Sequence, residues 1–179
     1  MAGGGMRLEC KACLSERALL IATGRIGIVT FNTLLLLLSF FTILFMTPKI
    51  FNAIDNILEL EDISEYMGVI LIGYGVAIEE RNSFMKIFNL YPKFYTEQQE
   101  SIDHYCHEYG LCYLLLGLFM EMCVACIKIP NAIINTETHE CAVFVVSAIF
   151  LTWNSLLMLR HCYFLIRSKR DTIKRDIHS

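Results

Sequence analysis

Charge is what this chain has little of. Charged residues make up 18% of its 179 positions and hydrophobic ones 55%, against about 25% and 45–50% in soluble domains. A formal net charge of -3 leaves no basic field, so nucleic acid is excluded as a partner. There is no Walker loop, no G-x-G-x-x-G, no H-E-x-x-H and no G-x-S-x-G, which removes the common nucleotide, zinc-protease and serine-hydrolase chemistries. Repeats, Pro/Gly/Ser linkers and low-complexity tracts are missing apart from Leu34–Leu38. The first apolar run starts late, behind Arg7, Lys11, Arg17 and Arg25, and has no small-residue cleavage site, so a retained span is expected rather than a signal peptide. Ala2 follows the initiator, where myristoylation needs glycine.

What is present is a set of four uncharged or nearly uncharged stretches. A helix needs about 20 apolar residues to cross a bilayer. Spans are expected at about 26–46, 63–80, 109–128 and 141–166, with Pro48 stopping the first. The second is short and contains Glu65, and its Glu79-Glu80-Arg81 end is expected to reach the headgroups. Its assignment rests on the positive-inside rule, which counts Lys and Arg. With four spans and both termini inside, all of the 15 Lys and Arg except Lys49 and Lys128 lie on the inner side. Without the second span, the Arg81–Lys93 loop moves outside and this bias collapses. Backbone groups facing lipid must bond within their own segment, so the spans are helices. The expected fold is an all-α integral membrane protein, an antiparallel four-transmembrane-helix bundle with cytoplasmic N- and C-termini. Residues 1–25 form a cytoplasmic N-terminal segment and 167–179 a basic tail, and the plasma (inner) membrane is the expected location. The apolar spacing of 51–60 either lies along the outer surface or extends the second span. Small residues mark helix contacts, with Gly73 and Ala77 on one face and Gly110 and Gly117 two turns apart.

Polar residues at membrane depth are the site candidates. An ionisable side chain inside a span costs about 2.5–3.5 kcal/mol, so Glu121 should face the interior or water. It is about 10 Å from Lys128 along the axis, and Thr42 and Ser147 are hydrogen-bond candidates at its depth. Asn32 and Asn154 are seven and six residues from Arg25 and Arg160, which predicts that they meet in the inner third as interhelical glue. Trp153 is too deep for an interfacial belt and is expected to pack in the bundle or on a partner.

Cysteines divide by side. Cys10, Cys13, Cys106 and Cys162 fall inside, where thiols stay reduced, while Cys126 and Cys141 flank the outer loop as a candidate disulfide. Cys10–Cys13 has CxxC spacing without a second pair. Four-span disulfide-generating oxidoreductases share the size, but Cys123–Cys126 is the only reactive-pair candidate here. Glu79 and Glu80 end one span, and His104 and His107 begin the next beside Glu100 and Asp103, with His161 near the same edge. That grouping admits a metal ion, or alternatively a solvated belt of i, i+4 pairs. Arg167, Lys169, Arg170, Lys174 and Arg175 suit anionic headgroups. Two runs, Gly75–Arg81 and Asp103–Tyr109, stand out as signatures without a name.

No cofactor is required by these residues. The leading expectation is a non-enzymatic membrane subunit that packs on other subunits or on itself. The alternatives are a small proton- or ion-coupled transporter or channel using Glu121, and a metal- or cofactor-bearing membrane enzyme subunit at the cytoplasmic edge.

Overall fold

The structure is a computed structural model that describes residues 19, 21–51, 53–91, 96–131 and 137–176, with backbone alone at 50–51, 53–58, 127, 130–131, 137–143 and 168–176. Among the described residues it is helical throughout, without strands. The elements are α1 (Arg25–Phe51), α2 (Ala53–Glu79), α3 (Arg81–Ile87), α4 (Glu97–Asn131) and α5 (Glu137–Asp176). Three helical stretches, Arg25–Lys49, Glu97–Cys126 and Phe144–Arg167, are long and apolar enough to cross a membrane. α2 has the length, at 27 residues, but Glu61, Asp62 and Glu65 at one end and Glu79 at the other keep it outside that set.

One boundary differs from expectation. Pro48 does not end α1, which runs on to Phe51. Proline removes one backbone bond, and close to a helix end the loss is small. Of the two arrangements open to residues 53–60, they take the one that extends α2. α5 continues through Arg160 without a break, and Arg160 folds back over the Phe164 ring at 5.4 Å.

α2 packs chiefly on α4, α4 on α5, α5 on α1, and α1 more lightly on α2. Buried positions recur every seven residues: Asn32, Ser39 and Met46 on α1, and Phe144, Leu151, Met158 and Leu165 on α5. A seven-residue period keeps one seam facing a neighbour when helices cross at a shallow angle. The α2–α4 seam is the closest. A Cβ on Gly75 would lie 2.8 Å from the Gly110 carbonyl oxygen, and one on Gly117 2.8 Å from the Gly68 carbonyl oxygen. Backbones meet there because both helices carry glycine at seven-residue spacing. Gly110 and Gly117 are therefore contact residues, but Gly73 has nothing within 4 Å and Ala77 is exposed. The face that touches α4 is the Gly68–Gly75 face, about 160° away in the sense that matters: two residues off turns a helix position to the far side.

The polarity of the helices is inverted relative to a water-soluble protein. Phe31, Leu34, Phe40, Phe41 and Phe45 of α1 are exposed, while Asn32 and Ser39 are fully buried. On α5, Trp153, Leu156 and Leu159 face out, while Ser147, Asn154 and His161 face in. Such a surface is stable against hydrocarbon and unfavourable against water.

Candidate functional site

Four polar residues that α1, α2, α4 and α5 turn inward form one connected group toward the Arg25 end of α1. Asn32 Nδ2 donates to His161 Nδ1 at 3.1 Å, and the Tyr74 hydroxyl donates to Asn32 Oδ1 at 2.7 Å. The Tyr113 hydroxyl is also 3.1 Å from His161 Nδ1. An amide nitrogen only donates, so Nδ1 is the acceptor and the ring proton sits on Nε2. That nitrogen is buried and carries no hydrogen bond. The imidazole stacks on Tyr109 at 4.6 Å and 2°. Tyr74 lies between Phe31 at 4.9 Å and Tyr113 at 5.9 Å. One residue from each of four helices is thus held by its neighbours on the others, which fixes both the rotation and the register of the helices.

Asn32 does not meet Asn154. α1 and α5 are antiparallel, and the contact register pairs Asn32 with His161, seven residues beyond Asn154. The helix α5 passes Arg160, and the next cation on it is Arg167. Asn154 therefore sits nearer mid-depth, at the level of Ser39. Its Nδ2 reaches only the Met158 sulfur at 3.7 Å, and both its Oδ1 and the Ser39 Oγ are buried without partners. His161 likewise belongs to the interior rather than to the membrane edge.

Glu121 is half-buried on α4, against Gly68, where a Cβ would come within 2.6 Å of its Oε1. Oε1 has no hydrogen-bond partner. Neither expected partner serves it: Thr42 donates to the Leu38 carbonyl at 2.9 Å, and no bond joins Glu121 Oε1 to Ser147. Lys128 turns to α2 instead, 2.5 Å from Glu65 and 3.3 Å from Glu61, and Lys49 pairs with Glu59. Lys49 and Lys128 are thus both held by acids of α2.

The Glu/His grouping expected at the inner edge does not converge. His107 pairs with Glu79 across α2 and α4 at 3.4 Å, His104 pairs with Glu108 on its own helix at 3.5 Å, and Glu80 is exposed. His104 and Glu108 lie on one face four residues apart, which draws His104 away from α2. Among the described residues no three His, Cys, Asp or Glu lie close enough to hold a metal ion. Asp103, expected beside His107, binds Arg81.

Arg81, expected to reach the headgroups with Glu79 and Glu80, is instead turned into the protein. Only 3% exposed, it pairs with Asp103, donates to the Thr23 carbonyl at 2.6 Å and to Gln99 Oε1 at 2.5 Å, and meets the Tyr91 hydroxyl at 3.3 Å. Tyr91 donates to the other Asp103 oxygen at 2.8 Å. Burial, then the bond to Asp103, pushes the Tyr91 phenol up to about 12. The guanidinium fork suits such a many-partnered site. The two unnamed runs, Gly75–Arg81 and Asp103–Tyr109, are the two sides of this junction: Gly75 on Gly110 at its deep end, Glu79 on His107, and Arg81 on Asp103 at its rim.

Cys126 is a free, exposed thiol, so the expected bridge to Cys141 is not formed. The Cys141 side chain and the Cys10–Cys13 pair lie outside the described residues. The Arg167 guanidinium donates to the Tyr163 hydroxyl of its own helix at 3.0 Å. The side chains of Lys169, Arg170, Lys174 and Arg175 lie outside the description, although α5 continues past them to Asp176. Trp153 is 60% exposed and does not pack in the interior. No family model matches the chain, and no curated protein or solved structure is significantly similar to it.

Proposed function

We propose that this chain is a four-span integral membrane subunit, with α2 as the fourth span and both termini cytoplasmic. It lies in the plasma (inner) membrane, and its work is to pack against another membrane protein rather than to catalyse a reaction. The charge bias supports the orientation, and the tight α2–α4 seam supports a spanning α2, since α4 is itself apolar enough to cross. Glu61 and Glu65 at its outer end meet Lys128, and Glu79 at its inner end meets His107.

The observation that carries the interaction reading is the outward face of α5. Val145, Ala148, Ile149, Thr152, Trp153 and Leu156 line a shallow apolar groove of ≈ 320 Å³. Ala148 and Thr152 are four residues apart, a small-residue floor of the kind that lets a second helix approach closely. Trp153 walls the groove at a depth where aromatic anchors of the interfacial belt are not found. The occupant proposed is a transmembrane helix of a partner subunit. A photo-crosslinking residue in place of Trp153 should trap a discrete protein adduct in native membranes, and the same residue in place of Phe40 on α1 should trap lipid. Isolation as a monomer with no adduct at position 153 would overturn the reading.

A further inference from the structure

Of the seams that join α1, α2, α4 and α5, the one between α1 and α2 is the lightest, and a cavity of ≈ 220 Å³ lies in it. Its walls are apolar. Buried Ile28 and Ile78 form its back, small Ala22, Gly27 and Ala77 leave it room, and Phe84 of α3 flanks the Arg81 end. An apolar cavity of about 150 Å³ already stays dry and takes a benzene-sized guest. Empty apolar volume destabilises a fold in proportion to its size, so this one favours an occupant.

The polar side chains that line it are already engaged. The Tyr74 hydroxyl donates to Asn32 Oδ1 at 2.7 Å and the Thr23 hydroxyl to the Leu19 carbonyl at 2.6 Å. Arg81 is taken up by the Thr23 carbonyl, Gln99 and Asp103. Nothing is left to select a polar ligand, so an occupant gains by burying hydrocarbon. The two ends set the shape. At one, Arg81 of α2 reaches the Thr23 carbonyl, just ahead of a bend at Gly24. At the other, Phe31 stacks on Tyr74 at 4.9 Å. Tyr74 and Arg81 are seven residues apart on α2, so the ends lie about 10 Å apart along the helix axis. The space is a slot parallel to the helices, which in a membrane is the direction of the lipid chains. Phe31, Ala77 and Phe84 beside it are exposed, so it opens sideways.

We propose that this slot holds one acyl chain of a phospholipid from the inner leaflet, wedged between α1 and α2. This rests on the four-span reading, which puts the Arg81 end at the level of the inner headgroups, and adds a bound lipid to it. The chain enters from the side and lies along Ile28 and Ile78, with the Phe31–Tyr74 stack at its deep end and Phe84 at its shallow end. α3 turns Phe84, Ile87 and Phe88 to one exposed side and Ser83 and Lys86 to another, as a helix lying in the interface does. The headgroup belongs beside Ser83 and Lys86. Filled in this way, the light α1–α2 seam gains the dispersion contacts that an empty space forfeits.

The test uses the full chain purified in detergent, with dioleoyl-phosphatidylcholine or dioleoyl-phosphatidylglycerol added back. Native mass spectrometry should show one lipid retained per chain. The thermal unfolding midpoint should rise to a plateau with either lipid, because the slot reads the chain and not the headgroup. Ala77→Phe places a ring in the slot. It should lose the retained lipid and the lipid-dependent rise, while its own midpoint equals or exceeds that of the parent chain. Val69→Phe adds a ring at an exposed position of α2 outside the slot and should keep both. Circular dichroism reports folding, and Ala77→Leu, which fills less of the slot, should weaken retention if the larger ring prevents folding. No retained lipid, retention unchanged in a folded Ala77 variant, equal loss in Val69→Phe, or retention of phosphatidylglycerol alone would each overturn the proposal. Thiol labelling of Ser83→Cys from the two faces separates its failure from that of the four-span reading: correct topology without retained lipid removes the lipid slot alone.

Discussion

Gly110→Ala gives the sharpest test of the packing. The added Cβ would lie 2.6 Å from the Glu79 backbone nitrogen, 2.8 Å from the Gly75 carbonyl oxygen and 2.9 Å from the Glu79 Cα. None of these atoms belongs to a side chain, so none can rotate away. Ordinary carbon contacts lie near 3.5–4.0 Å, so α2 must retreat by about 1 Å. A gap of 0.5–1 Å already forfeits a quarter to a half of each dispersion contact, and overpacking of this kind costs about 1–3 kcal/mol. Alanine regains about 0.5–1 kcal/mol through helix propensity, which leaves a net loss of about 1–2 kcal/mol. At Gly73 nothing lies within 4 Å, so Gly73→Ala should show the propensity gain alone. Thermal or denaturant unfolding of the detergent-solubilised protein, followed by circular dichroism, measures both. The reasoning predicts shifts of opposite sign, and it fails if the two variants shift together or if Gly110→Ala is silent.

Three further outcomes follow from the polar contacts. Asn32→Leu strands the Tyr74 hydroxyl and His161 Nδ1 and should cost about 1–2 kcal/mol in the same assay, whereas Asn154→Leu removes an already unpartnered Oδ1 and should leave stability equal or higher. Arg81→Leu leaves Asp103 almost buried without its cation, a loss of about 3–5 kcal/mol, and Asp103→Asn in the same chain should recover part of it. Tyr91 holds its proton more tightly folded, at about 12, than unfolded, near 10. The raised value means that its contribution is complete below pH 10 and disappears as pH rises to 12. A pH series of unfolding midpoints should therefore fall over that window, less steeply in Tyr91→Phe.

The sequence made the spans at α1, α4 and α5 legible, because length and lack of charge suffice to place an apolar helix. It also singled out Asn32, Asn154 and Glu121, since a polar residue inside an apolar run is conspicuous by itself. What it did not reveal was partnership. Pairing depends on the register between helices: Asn32 meets His161, two turns along α5 from Asn154, and neither helix's own sequence shows that step. Gly68 and Gly75 escaped notice because a four-residue small motif, Gly73–Ala77, was visible, and the seven-residue step shared with Gly110 and Gly117 shows only when two helices are compared. Arg81 looked like a headgroup-level charge because its partners, Asp103, Gln99 and Tyr91, come from other segments. Tyr74 and Tyr113 carried no signal as long as they counted as aromatic residues rather than as hydroxyls at depth.

The central claim is that α2 crosses the membrane and brings the α2–α3 junction to the same side as both termini. Ser83 is exposed on α3, and Glu59 is exposed at the opposite end of α2. In a background without other cysteines, a membrane-impermeant thiol reagent should label Glu59→Cys in intact cells and Ser83→Cys only after permeabilisation. Labelling of Ser83→Cys from outside intact cells would contradict the account.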